Sequence, residues 1–231
     1  NYLKIHRYSA APVVHSENRL LGIVKAEKLI QEAWEDIGED IQKMVGVAPE
    51  ERTFSSIWFS LRKRLPWLNV NLATAFAAAG VIALFEDIID QITALAIFLP
   101  VVAGQGGNAG AQTLAVVMRG LVMREISKGR FKGLILKEGI LGALNGIIIG
   151  IITAVIAWIW RGNPYLGLVI GLGMIVNMIA AGFAGAIIPI VMKKLGIDPA
   201  QSSSIILTTI TDIVGFFAFL SFAVMFQKFI S

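Results

Sequence analysis

Asp212 is the one ionisable side chain in the last long apolar run of the chain, about ten residues from each end of that run. A carboxylate at membrane depth costs roughly 2.5–3.5 kcal/mol on insertion scales, and such residues mark ion or proton pathways. Gln201, Ser204, Thr208, Thr211 and Gly215 flank it at helical spacing, so one helix face is polar and narrow and the other apolar. Two readings stay open for Asp212: a cation site in a pore, or a protonated or hydrogen-bonded packing residue. The run from Pro100 to Gln112 supplies a second lining element, with four glycines, a proline and three carboxamides inside another apolar stretch. Glycines let backbone carbonyls point at an ion, and Asn108 and Gln112 place carboxamide oxygens one helical turn apart. Non-helical backbone at membrane depth survives only when buried in protein or lining a wet cavity. The run is therefore expected to interrupt its helix beside a pathway; tight packing is the competing reading.

The donor set points to a hard cation. There is no cysteine, and the two histidines, His6 and His15, precede the apolar spans. Zinc and redox-metal centres are thereby disfavoured. One Asp per chain is a modest charge for a divalent ion, but a two-fold dimer would bring two together on its axis. Magnesium dehydrates reluctantly, so carboxylates, amide oxygens and carbonyls can hold it through its water shell; calcium usually takes more direct ligands. A proton- or sodium-coupled divalent cation carrier, with Asp212 titrating, is the alternative transport reading. Enzyme chemistry is disfavoured, because the spans offer one buried carboxylate and no His or Cys to pair with it.

These residues must be held by membrane helices. The chain has 231 residues, 56% hydrophobic and 16% charged, with mean hydropathy +0.73. Five stretches are long enough to span a bilayer, at 67–85, 92–118, 134–160, 166–192 and 202–226. One set of connecting segments carries eleven Lys and Arg, among them Arg62–Arg64, Arg119, Lys132 and Lys193; the other set carries only Arg161 and Lys228. The asymmetry predicts a cytoplasmic N-terminus and an external C-terminus. The net charge of +4 comes from basic residues beside the spans, so nucleic acid is not an expected partner. Gly142, Gly146 and Gly150, and Gly167 and Gly171, recur every four residues, as in closely packed membrane helices.

Two acidic groups lie outside the spans. Glu86, Asp87 and Asp90 sit in the first external connector, where they would concentrate cations at a mouth or simply form a solvated loop. Glu32, Glu35, Asp36, Glu39 and Asp40 share one face of a helix predicted from Lys25 to about Val47. Like charges at this spacing repel, and divalent cations would relieve them when abundant. The face is either an ion sensor or an exposed acidic surface. Ahead of it, Ala11–Val14 and Leu21–Val24 read as a strand, polar turn and strand too small to bury a core alone. The chain is read as the tail of a larger cytoplasmic module joined to a membrane part.

The run Pro100-x-x-x-Gly104-x-Gly106-Gly107-Asn108-x-Gly110-x-Gln112 resembles the signature of the MgtE magnesium channels. So do Asp198-Pro199-Ala200, Asp212 in Thr-x-Thr-Asp-x-x-Gly, and Leu136-Lys137-Glu138. Pro12-Val13-Val14 to Gly22-Ile23-Val24 resembles the end of a CBS domain. The resemblance implies an all-α membrane protein with five transmembrane helices per protomer, preceded by an acidic plug helix and a short β remnant. It implies residues 1–24 as CBS remnant, 25–49 as plug helix, 50–66 as juxtamembrane segment and 67–231 as pore domain. It further implies a homodimer in the bacterial inner membrane, with a pore lined by the second and fifth spans and Mg2+ as the ion required. Mn2+ and Co2+ are further candidate ions. Asp212 corresponds to the pore aspartate. Backbone carbonyls of Ser204, Thr208 and Val102 would assist, with Gly104 and Asn108 lining the passage. Ser204 stands where some relatives carry Asn. Glu35, Asp36, Glu39 and Asp40 occupy the place of the carboxylates through which cytoplasmic Mg2+ closes the pore.

Overall fold

The computed structural model describes residues 9–126, 128–200 and 203–230. The side chains of Glu35, Asp36 and Asp40, and the whole of Gln201, lie outside the described residues. Strands β1 (Ala10–Val14) and β2 (Leu20–Lys25) form an antiparallel hairpin that pairs Ala10 with Lys25 and Val13 with Gly22. Leu20, Leu21 and Ile23 remain exposed on it. Helix α1 (Ala26–Met44) follows directly and ends at Gly46. Gly46 has φ +77°, and a Cβ there would lie 3.1 Å from Cβ of Trp67, so glycine serves both the left-handed turn and the close approach.

The remaining helices are α2 (Ile57–Ala83), the short α3 (Glu86–Gln91), α4 (Ala94–Val122), α5 (Phe131–Arg161), α6 (Pro164–Lys194), α7 (Ser203–Met225) and the short α8 (Gln227–Ile230). Five of them, α2 and α4 to α7, are long and apolar enough to cross a membrane. With the small hairpin, this is the expected fold class. Helix α2 begins ten residues before the apolar run does. Ser56 starts it by accepting a hydrogen bond from the Phe59 N–H, so the basic triplet Arg62–Arg64 and Pro66 belong to the helix itself.

The expected interruption between Pro100 and Gln112 does not occur: α4 is helical throughout. Pro100 stands near its start, so the missing N–H removes only the bond to the Ala96 carbonyl. The glycines then serve two helix faces. Gly106 and Gly110 are buried contacts, while a Cβ on Gly104 would meet nothing within 4 Å.

Helix α6 is the centre of the bundle, packing against α4, α5 and α7. Its contact with α5 brings backbones together. A Cβ on Gly142 would lie 2.5 Å from the Met178 carbonyl oxygen, and one on Gly182 would lie 2.4 Å from that of Glu138. Gly150 and Gly171 face each other's carbonyls in the same way. The opposite face of α5, with Ile147, Ile148, Ile151 and Ile152, is exposed as a lipid-facing surface would be. Leu95, Phe98 and Val102 of α4 pack with Val169, Ile170 and Met174 of α6 and Phe219 and Leu220 of α7. Towards the other end, Leu114 and Val117 pack with Ala184, Ile188 and Leu207.

The two ends of the bundle differ in charge. At one end lie α3, the turn between α5 and α6, and α8. There Asn163 donates to the Phe229 carbonyl at 3.1 Å, and Tyr165 stacks on Phe229 at 4.9 Å. At the other end lie the tail of α1, the start of α7, Arg64, Arg119, Lys193 and Lys194.

Candidate functional site

Asp212 is carried by α7, whose stripe Ser204, Thr208, Asp212 and Gly215 runs at i, i+4, i+8 and i+11. Leu207, Thr211 and Phe219 beside the stripe, and Gly215 within it, are buried in the bundle. The neighbour along the stripe is α4. A Cβ on Gly110 would lie 2.7 Å from Leu207, and one on Gly107 would lie 3.8 Å from Thr208. These contacts fix an antiparallel register. Asp212 is four residues beyond Thr208, about 6 Å along the axis, and Gly104 is three residues back from Gly107, about 4.5 Å in the same direction. With Gly106 and Gly215 both packed on Asn177, Asp212 therefore lies alongside the Gly104–Asn108 stretch of α4. Asp212 is half-buried, and Gly104 and Asn108 are exposed on the neighbouring helix. Two of the chain's polar membrane elements thus share one open face.

Not every candidate oxygen reaches that face. Val102 is fully buried, and its carbonyl accepts a 2.7 Å hydrogen bond from Asn177 Nδ2. The Thr208 carbonyl accepts from the Thr211 hydroxyl at 3.0 Å, and the Thr208 hydroxyl donates to the Ile205 carbonyl at 3.1 Å. Gln112, one turn after Asn108, lines a different cleft of about 200 Å³ with Thr113, Lys137, Glu138 and Asn145. In that cleft Glu138 of α5 is buried, a second carboxylate within the spanning helices where one was expected, with Lys137 donating to it at 2.9 Å and Thr113 at 3.4 Å. Among the described residues, no group of three or more His, Asp or Glu is placed to hold a metal ion. One carboxylate beside amide and carbonyl oxygens suits an ion that keeps its water.

The end of α1 docks beside the first turns of α7. The Ser204 hydroxyl donates to the Met44 carbonyl, and the Lys43 ammonium lies 3.4 Å from Asp198. Asp198 also accepts from the Ala200 N–H at 3.0 Å, ordering the loop that leads into α7. Between the α1 end, α2 and α7 lies a cavity of about 420 Å³ lined by Gly46, Arg64, Trp67, Asn71, Ser204 and Thr208, among others. Arg64 of this lining donates through Nε to the buried Glu51 at 2.9 Å. That hydrogen bond holds the Glu51 carboxyl below its ordinary range. Of the acidic face of α1, Glu39 lies 3.9 Å from Lys43 and Glu32 is exposed.

At the opposite end, Glu86, Asp87 and Asp90 are exposed on α3. Ile88 turns inward, and Phe85 meets Phe217 of α7 edge-on at 5.8 Å. The acidic cluster is thus tied to the far end of the helix that carries Asp212.

Sequence reasoning passed over Asn177, the fully buried carboxamide of α6. A lone Asn within a long apolar run was its only signal. It also passed over Glu51 and the Lys43–Asp198 pair, which connect segments far apart in the chain.

A family model described as MgtE, divalent cation transporter, matches residues 99–222. The magnesium transporter MgtE of Bacillus subtilis (strain 168) is 34% identical over 224 residues, covering 96% of this chain and 50% of the relative. That of Enterococcus faecalis is 33% identical over 227 residues, covering 98% and 50%. That of Thermus thermophilus is 29% identical over 221 residues, covering 94% and 48%. The chain thus spans about half the length of the curated relatives it matches. The matched segment holds α4 to α7 almost whole, including the glycine–asparagine run and Asp212, and the chain is a multi-pass membrane protein that belongs to the MgtE family of divalent cation transporters.

Proposed function

We propose that this chain forms the transport path for Mg2+ of a homodimer in the bacterial inner membrane, with α4 and α7 of both copies lining a shared pore. The reading rests above all on Asp212, half-buried on α7 alongside the exposed Gly104 and Asn108 of α4. The family match and the three relatives named as magnesium transporters support the choice of ion. Two Asp212 carboxylates across the dimer axis attract the ion, and the hydrated shell is held by the Ser204 carbonyl and by Asn108, the Thr208 carbonyl being taken by the Thr211 hydroxyl. Gly104 keeps the wall open. The Val102 carbonyl, buried and bonded by Asn177, holds this wall in place rather than meeting the ion. Glu86, Asp87 and Asp90 gather cations at the external mouth.

In this reading the basic end of the bundle is cytoplasmic. Residues 1–24 are the remnant of a CBS domain, 25–49 the plug helix, 50–66 the juxtamembrane segment and 67–231 the pore domain. Mg2+ bound at Glu35, Asp36, Glu39 and Asp40 holds the pore closed. The Met44–Ser204 and Lys43–Asp198 contacts carry that state to the first turn of α7. Complementation tests the proposal: Asp212→Ala, expressed in a strain that needs added magnesium to grow, is expected to abolish rescue. Full rescue at normal expression would overturn the pore assignment.

A further inference from the structure

Asn177 occupies a notch between one glycine of α4 and one of α7. A Cβ on Gly106 would fall 2.2 Å from its Nδ2, and a Cβ on Gly215 would fall 2.5 Å from the same atom. The side chain is fully buried, and its Nδ2 donates to the Val102 carbonyl at 2.7 Å. A carbonyl can only accept, so the amide must turn its nitrogen to Val102. Its Oδ1 is then left buried without a donor. Leucine has the same branching and would leave no orphaned acceptor. What the carboxamide adds over leucine is a directed bond to the wall that carries Gly104 and Asn108.

We propose that Asn177 is a positioning residue that sets the separation of α4 and α7, and through it the width of the passage beside Asp212. This rests on the reading of those helices as pore walls. Gly106 is two residues from Gly104, and Gly215 is three residues from Asp212, so a shift at the notch moves both sides of the passage together. Mg2+ travels with its water shell more readily than Ca2+, which exchanges water for protein oxygens. The width at this level therefore decides between them.

The test uses the chain in proteoliposomes, with Mg2+ flux measured alone and in competition with Ca2+. Asn177→Leu is expected to remain dimeric and conducting while its Mg2+-over-Ca2+ ratio falls by about tenfold, the scale of one lost hydrogen bond. A second measurement does not depend on flux. The chain has no cysteine, so spin labels at Val101→Cys and Phe217→Cys, both exposed, report the α4–α7 distance within one copy once labelled chain is diluted with unlabelled chain. That distance is expected to shift or broaden in Asn177→Leu. Should the leucine variant fail to fold, Asn177→Ala combined with Gly215→Ala refills the notch without the bond and is expected to show the same two changes. An unchanged ratio with an unchanged distance in a folded variant overturns the proposal. Loss of Mg2+ flux in the unsubstituted chain would instead defeat the pore reading, and the label distance would still decide the role of Asn177.

Discussion

The Lys43 ammonium lies 3.4 Å from the Asp198 carboxylate, across the junction between the end of α1 and the loop that starts α7. Both groups are partly exposed, so the pair is worth only about 0.2–1 kcal/mol. That is enough to bias a gate. Lys43→Gln and Asp198→Asn are each expected to raise flux at high internal Mg2+ by about two- to fivefold. The double variant should go no further, because the two changes remove one interaction. Additive effects in proteoliposome flux would show that the residues act separately.

The glycines of α4 and α6 separate fold from conduction. Gly182→Ala forces a methyl group to within 2.4 Å of the Glu138 carbonyl oxygen and should lower stability by about 1–3 kcal/mol. Gly104→Ala meets nothing within 4 Å and should leave the melting temperature in detergent unchanged while altering ion flux. A large melting shift in Gly104→Ala would remove it from the open face.

Acid should loosen the segment between α1 and α2. The hydrogen bond from Arg64 lowers the folded pKa of Glu51. The stability it contributes is therefore fully present above the ordinary carboxylate range and is lost as pH falls through the lowered folded value. Hydrogen exchange over residues 45–56 is expected to rise at that acid limb and to lose the pH response in Glu51→Gln. An equal response in both chains would assign the acid sensitivity elsewhere.

In the proposed orientation the carboxylates of α3 gather cations from a distance. Replacing Glu86, Asp87 and Asp90 by their amides is expected to slow Mg2+ entry by about tenfold at low ionic strength. The difference should shrink at 0.5 M salt, where the screening length falls well below 10 Å. A deficit that persists at high salt would indicate a direct ligand role.

Much of this arrangement is legible in the sequence because the bilayer imposes it. Five apolar runs gave the five spanning helices, and Asp212 stood out because nothing else in its run is charged. The four-residue glycine spacing of α5 and α6 foretold the approach of backbones at Gly150 and Gly171. Local reading failed where tertiary contacts decide. The Pro100–Gln112 run has the composition of a broken helix. It stays helical because Asn177 and Leu207 fill the space beside Gly106 and Gly110. Asn177 itself is one polar residue in an apolar run, and its importance depends on two glycines about 70 and 40 residues away. The early start of α2 was hidden because Arg62–Arg64 and Pro66 separate its first turns from the apolar run.

The central claim is that Asp212 carries the charge that selects and passes the ion. Its most direct test is voltage-clamped flux through the purified dimer, comparing the unsubstituted chain with Asp212→Asn while Mg2+ competes with Ca2+ and Mn2+. The expected result is a Mg2+ current that follows voltage and the magnesium gradient, ignores proton and sodium gradients, and disappears in Asp212→Asn without loss of the folded dimer. An undiminished, still selective current in Asp212→Asn would contradict the account.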